Sequence, residues 1–66
     1  MPAYVRGITL KLERIERRLT QAELGASAGW TRQHVGRTEQ RDLVPAHVAV
    51  RFRAALRSAL AARGGL

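Results

Sequence analysis

Ile8, Leu12, Ile15 and Leu19 recur at helical spacing, with Lys11, Glu13, Arg14, Glu16, Arg17 and Arg18 filling the other faces. The pattern predicts a first amphipathic helix over roughly residues 6 to 17, its aliphatic row turned inward. Thr20, followed three residues later by Glu23, fits a capping box. In that device the hydroxyl accepts from a free amide of the first turn, and the carboxylate bonds back to the amide of the cap residue. A second helix therefore starts there. Leu24, Ala28, Trp30 and Val35 can point inward, while Gly25 leaves room for a second helix to cross close by. Gly29 permits the left-handed backbone that ends the second helix, and Thr31 can cap a third. Turn chemistry between Gln40 and Val44 closes the third helix ahead of Pro45, which suits the amide-poor first turn of a fourth.

From Ala46 to about Ala62 the chain is rich in Ala, Leu and Arg, all strong helix formers. Val48, Phe52, Ala55, Leu56, Ala59 and Leu60 share one broad stripe, and Gly64 and Gly65 end the segment. The first half of this long helix is expected to complete the core. Its distal half, from Leu56 to Ala62, extends past what three short helices can cover. Phe52, Leu56, Ala59 and Leu60 are thus the expected seam of a homodimer. No segment shows strand periodicity and no repeat is visible. The expected fold is all-α: one domain over 1–66, a four- to five-helix bundle with a helix-turn-helix at about 20–39 and a core and dimerisation helix at about 45–62.

Composition narrows the classes of function. A chain of 66 residues holds one modest core and is marginally stable unless a partner adds surface. The absence of Cys excludes disulfides, thiolate metal sites and thiol catalysis, and two isolated His do not make a metal site. The Met1–Arg6 segment lacks the apolar core of a signal peptide, and no apolar run approaches a membrane span. The expected setting is soluble and cytoplasmic. Twelve Lys and Arg against five Asp and Glu give a formal charge of +7, for which a polyanion is the natural partner. All but one of these bases are Arg, whose planar fork pairs with phosphate or with the guanine edge. Codon usage in a GC-rich genome is an equal explanation for the Arg:Lys ratio, though not for the net charge.

The segment Leu19-Thr20-Gln21-Ala22-Glu23-Leu24-Gly25, then Ala28-Gly29-Trp30-Thr31-Arg32, then Thr38-Glu39, preceded by Arg14, resembles the lambda-repressor-like, Cro-type (XRE) family of helix-turn-helix domains. The likeness covers about residues 8 to 45. It implies an ion pair between Arg14 and Glu39 that braces the first helix against the third, and a phosphate contact for Gln21. Trp30 stands where the family usually has Val, Ile or Leu, and Thr38 where it has Ile or Leu; cores tolerate such swaps when total volume is conserved. One continuous final helix replaces the usual two. That final helix is also reminiscent of small phage or mobile-element autorepressors, including anti-CRISPR-associated regulators.

In such a motif the second helix enters the major groove with its N-terminal residues facing base edges. Arg32, Gln33 and Arg37 are the expected base readers, since Arg forks onto guanine and Gln pairs with adenine. For either Arg the alternative is a phosphate clamp. Gln21, Thr31, His34 and Arg41 are the expected backbone contacts, although capping suffices to explain Thr31 and His34 could simply be solvated. Gly36 costs about 1 kcal/mol inside a helix relative to Ala. It allows either close approach to the sugar-phosphate wall or packing space beside Trp30. Trp30, Phe52 and Tyr4 read as packing residues. Arg51, Arg53, Arg57 and Arg63 could meet flanking phosphates or form a solvated face.

The leading expectation is a sequence-specific double-stranded DNA-binding transcriptional regulator. It would act as a homodimeric repressor on an inverted-repeat operator in a bacterial or phage-infected cell. The alternatives are a non-specific basic nucleic-acid-binding or architectural protein and an interaction module using the last helix. With no paired acids, no nucleophile beside a base and no phosphate loop, neither an enzyme, a cofactor, a metal nor a small-molecule ligand is expected.

Overall fold

A computed structural model describes residues 3–64; the expected stop at Gly65 and the first two residues lie outside it. The order of elements is β1 (Tyr4–Arg6), α1 (Gly7–Glu16), α2 (Gln21–Ala28), α3 (Arg32–Gln40), β2 (Leu43–Pro45) and α4 (Ala46–Gly64).

Two strands correct the all-α expectation. β1 and β2 pair antiparallel, Tyr4 against Pro45, Val5 against Val44 and Arg6 against Leu43. Side chains alternate across a strand, so the Val5–Val44 pair faces the core while its neighbours face outward. Pro45 ends β2 rather than opening a helix, and the next amide, Ala46 N–H, donates to the Ala3 carbonyl at 2.9 Å. The chain start is thereby clipped to the entry of α4.

α1 also turns a different face inward from the one its aliphatic row suggests. Gly7, Leu10 and Arg14 are buried, whereas Ile8, Leu12 and Ile15 are 51%, 52% and 47% exposed. The reason lies at its first residue. Gly7 N–H donates to the Arg41 carbonyl at 3.2 Å, and a Cβ on Gly7 would strike the carbonyls of Thr38, Glu39 and Arg41. Only glycine lets the start of α1 sit this close to the end of α3, and that contact sets the rotation of the helix. α1 stops in a Schellman motif: Arg18 N–H bonds Ile15, Leu19 N–H bonds Arg14, and Arg18 itself has φ +57°.

The Thr20–Glu23 capping box is present, with bonds of 3.0 and 2.9 Å, and Gly29 ends α2 at φ +74°. Gly25 accommodates the Trp30 carbonyl, 2.6 Å from where a Cβ would stand, rather than a crossing helix. Thr31 caps α3 by accepting from His34 N–H at 3.0 Å. Thr38, buried at a position suited to an aliphatic, satisfies its hydroxyl by donating to the His34 carbonyl at 2.9 Å.

The core consists of Leu10, Leu19, Leu24, Val35, Val44, Ala49, Phe52, Ala55, Leu56 and Ala59, with Trp30, Val48 and Leu60 packed against it. Phe52, Leu56 and Ala59 are therefore inside the monomer and not open to a partner, which removes the seam expected on α4. Only Leu60 of that set keeps partial exposure. The distal half of α4 is covered because α2 packs against it: Trp30, just beyond α2, meets Phe52, and Glu23 in the first turn of α2 meets Arg63.

Candidate nucleic-acid interface

Buried polar chemistry fixes the position of α3. Arg14 Nε donates to Glu39 Oε2 at 2.6 Å and Arg14 Nη2 to Glu39 Oε1 at 3.1 Å, while Arg14 Nη1 donates to the Leu19 carbonyl at 2.8 Å. Gln21 Nε2 adds a bond to Glu39 Oε1 at 3.1 Å. No buried side-chain polar atom among the described residues lacks a partner. The network ties α1, the first residue of α2 and the last turn of α3 into one unit. It also uses one donor of Gln21, leaving the rest of that amide beside Gly36, whose Cβ would stand 3.3 Å from Gln21 Nε2. Gly36 thus makes room for Gln21, rather than for Trp30.

With α3 held this way, Arg32, Gln33, Gly36, Arg37 and Gln40 line an open trough with Gln21 along its floor. Arg32, Gln33, Arg37 and Gln40 are exposed. None makes a side-chain hydrogen bond or ion pair among the described residues, and no carboxylate lines this trough. Gln40 was not among the expected readers; its spacing from Gln33 and Arg37, seven and three residues, marks it as part of the same helical face. The trough adjoins a groove shared by Arg18, Thr20 and Arg32, and another that holds Lys11 and Arg41 together with Glu39 and Asp42. His34, Arg37 and Arg41 lie together in a third. Cations therefore line each of the grooves that border the helix. Neither Lys11 nor Arg18 is expected at this border from periodicity, which turns the neighbouring row of Ile8, Leu12 and Ile15 inward, whereas in the fold that row is exposed.

His34, expected at a phosphate, is exposed but stacks on Trp30, with ring centroids 4.5 Å apart and planes 5° from parallel. Arg51 lies 5.8 Å from the Trp30 ring centroid. Arg53 and Arg63 are engaged within the chain. Arg53 forks onto Glu13 at 3.0 and 2.8 Å, and Arg63 onto Glu23 at 3.2 and 2.5 Å. These bonds have electrostatic consequences. Arg63 and the Thr20 amide together pull the Glu23 carboxyl down to about 2, and Arg53 lowers that of Glu13 while its own guanidinium is raised. Four of the five acids are thus neutralised locally: Glu13, Glu23 and Glu39 by close pairs, and Asp42 loosely by Arg6 at 3.8 Å.

No group of three or more His and acidic side chains that could hold a metal occurs among the described residues, and no helix there is long and apolar enough to cross a membrane. Comparison with family models, curated proteins and solved structures finds no match to this chain.

Proposed function

We propose that this protein is a sequence-specific double-stranded DNA-binding regulator of lambda-repressor-like architecture. In this reading α2 and α3 form the helix-turn-helix, and the exposed face of α3 reads the major groove. The observation that carries it is the trough on α3: two Arg and two Gln on consecutive turns, unpaired, free of carboxylates and bordered by cations. Arg32, Gln33 and Arg37 read base edges. Gln21, Thr31, His34, Arg41 and, in addition, Lys11 and Arg18 face the phosphate walls. Half or more of protein–DNA hydrogen bonds go to the backbone, so such a border is what a reading helix requires. The action proposed with this reading is repression by occupying a promoter as a pair of copies on an inverted repeat.

Selection of bound sites from random duplex DNA tests this directly. A recovered motif that binds about a thousandfold tighter than a scrambled duplex at physiological salt supports sequence reading. Equal affinity for both would replace it with non-specific, charge-driven binding. No binding at that salt would exclude DNA as the partner.

A further inference from the structure

The face of α1 opposite its buried side is unusual for a chain this small. Ile8, Leu12 and Ile15 are the exposed aliphatics described above, and they form one stripe about two turns long. Lys11 borders the stripe on the α3 side, where it shares a groove with Gly36 and Gln40. Glu16 borders it on the α4 side, where it lies in a groove with Arg53 and Arg57. Glu16 is also the one acid with no cation within 4.0 Å among the described residues, and Lys11 has no acid within that distance.

We propose that this stripe is a self-association surface, occupied by the same stripe of a second copy with the two α1 helices side by side and parallel. The spacing of Ile8, Leu12 and Ile15, four residues then three, is that of the d, a and d positions of a heptad. Lys11 and Glu16 then occupy g and the following e. In a parallel two-stranded seam a g residue lies across from the e residue five positions further along the partner. Lys11 of each copy therefore meets Glu16 of the other, twice by symmetry. An antiparallel seam would instead set Lys11 against Lys11 and Glu16 against Glu16. Charge complementarity selects a second copy of this chain, and selects its direction.

Three aliphatic side chains per copy make a contact below the roughly 1,200 Å² of a standard interface. The pair is accordingly weak and concentration-dependent. Lys11 borders both this stripe and the grooves beside α3, but association is measured without DNA, so its failure would leave the reading of α3 untouched.

Sedimentation equilibrium of the full chain from about 10 µM to about 1 mM, a range that brackets weak association, reads the outcome. Wild type should pass from monomer toward dimer, and Leu12→Lys should remain a monomer throughout while keeping the wild-type circular dichroism. Lys11→Glu and Glu16→Lys should each weaken association about tenfold, since two attractive pairs become repulsive. The double variant Lys11→Glu/Glu16→Lys should recover it. So should an equimolar mixture of the two single variants, in which every cross-pair is again opposite in sign. A wild type that stays monomeric at about 1 mM, or a Leu12→Lys variant that sediments like wild type, would overturn the surface. Charge swaps without effect would overturn the parallel arrangement.

Discussion

Arg14 and Glu39, 25 residues apart in sequence, meet as a two-pronged ion pair between α1 and the last turn of α3, with both side chains almost wholly out of solvent. Removing one partner of such a pair leaves a buried charge uncompensated, at a cost on the order of 3 kcal/mol. Glu39→Ala is expected to lose about that much stability, and Arg14→Ala a similar amount. The double variant should lose much less than the sum, because the two losses describe one interaction. Denaturant midpoints decide it. A Glu39→Ala variant that unfolds like wild type would show that the pair does not brace α3.

Base reading and backbone contact separate in their dependence on sequence and salt. Gln33→Ala should weaken binding to a selected site by about 1 to 3 kcal/mol and relax preference at one base pair per half-site. Arg41→Ala should weaken binding to all duplexes alike and lower the slope of log K against log salt by about one. Unchanged preference in the first variant would take Gln33 off the base edges, and a loss confined to the selected site in the second would move Arg41 onto them.

Acid should destabilise this fold through its external pairs. A carboxylate whose folded pKa lies below its unfolded one contributes stability that is complete above the unfolded value and disappears as pH falls through the folded one. With Glu23 pulled from 4.5 to about 2, stability should decline across that interval, and Glu13, lowered by Arg53, contributes a loss of the same sign. Arg63→Ala should make the decline shallower. Urea midpoints taken from about pH 6 down to about pH 2.5 measure the effect, and a series that stays level would contradict it.

Arg18 holds φ +57° at the end of α1, and its side chain makes no hydrogen bond among the described residues. A left-handed residue with a Cβ costs roughly 1 to 2 kcal/mol, which glycine avoids at the expense of a more flexible unfolded chain. Arg18→Gly should therefore stabilise the fold by about 1 kcal/mol, read as a higher urea midpoint. If Arg18 faces a phosphate, the same variant should bind DNA more weakly despite being more stable. A lower midpoint would show that the side chain contributes to the fold.

What was legible in the sequence was local. The Thr20–Glu23 box, the Gly29 stop, the Thr31 cap and the length of the final helix depend on residues within a turn of one another, and each is where its chemistry places it. The errors arose where distant segments decide. Counting aliphatics on the first helix favours Ile8, Leu12 and Ile15, because Leu10 stands almost alone on the other side and its neighbour there is an arginine. Only the crowding of Gly7 against the carbonyls of α3 turns that side inward. Three-residue strands are too short to display alternation, so Val5 and Val44 carried no signal of pairing across the chain. The seam expected on Phe52, Leu56 and Ala59 is absent because α2 packs over the distal half of α4 and buries all three within the chain. On α3 the exposure of Arg32, Gln33 and Arg37 was legible, since a cap and one buried Val35 suffice to orient nine residues.

The stacking of Trp30 on His34 has a practical consequence. Trp30 is the only tryptophan in the chain, and its indole rests against the first turn of α3 on one hand and near Arg51 of α4 on the other. Its emission therefore reports two events from one position. Separation of α3 from α4 exposes the ring to water, and anything seated against the start of α3 disturbs the imidazole lying on it. The protein carries its own fluorophore one turn from Gln33, and both its folding and any ligand seated at the start of α3 can be followed optically without attaching a label.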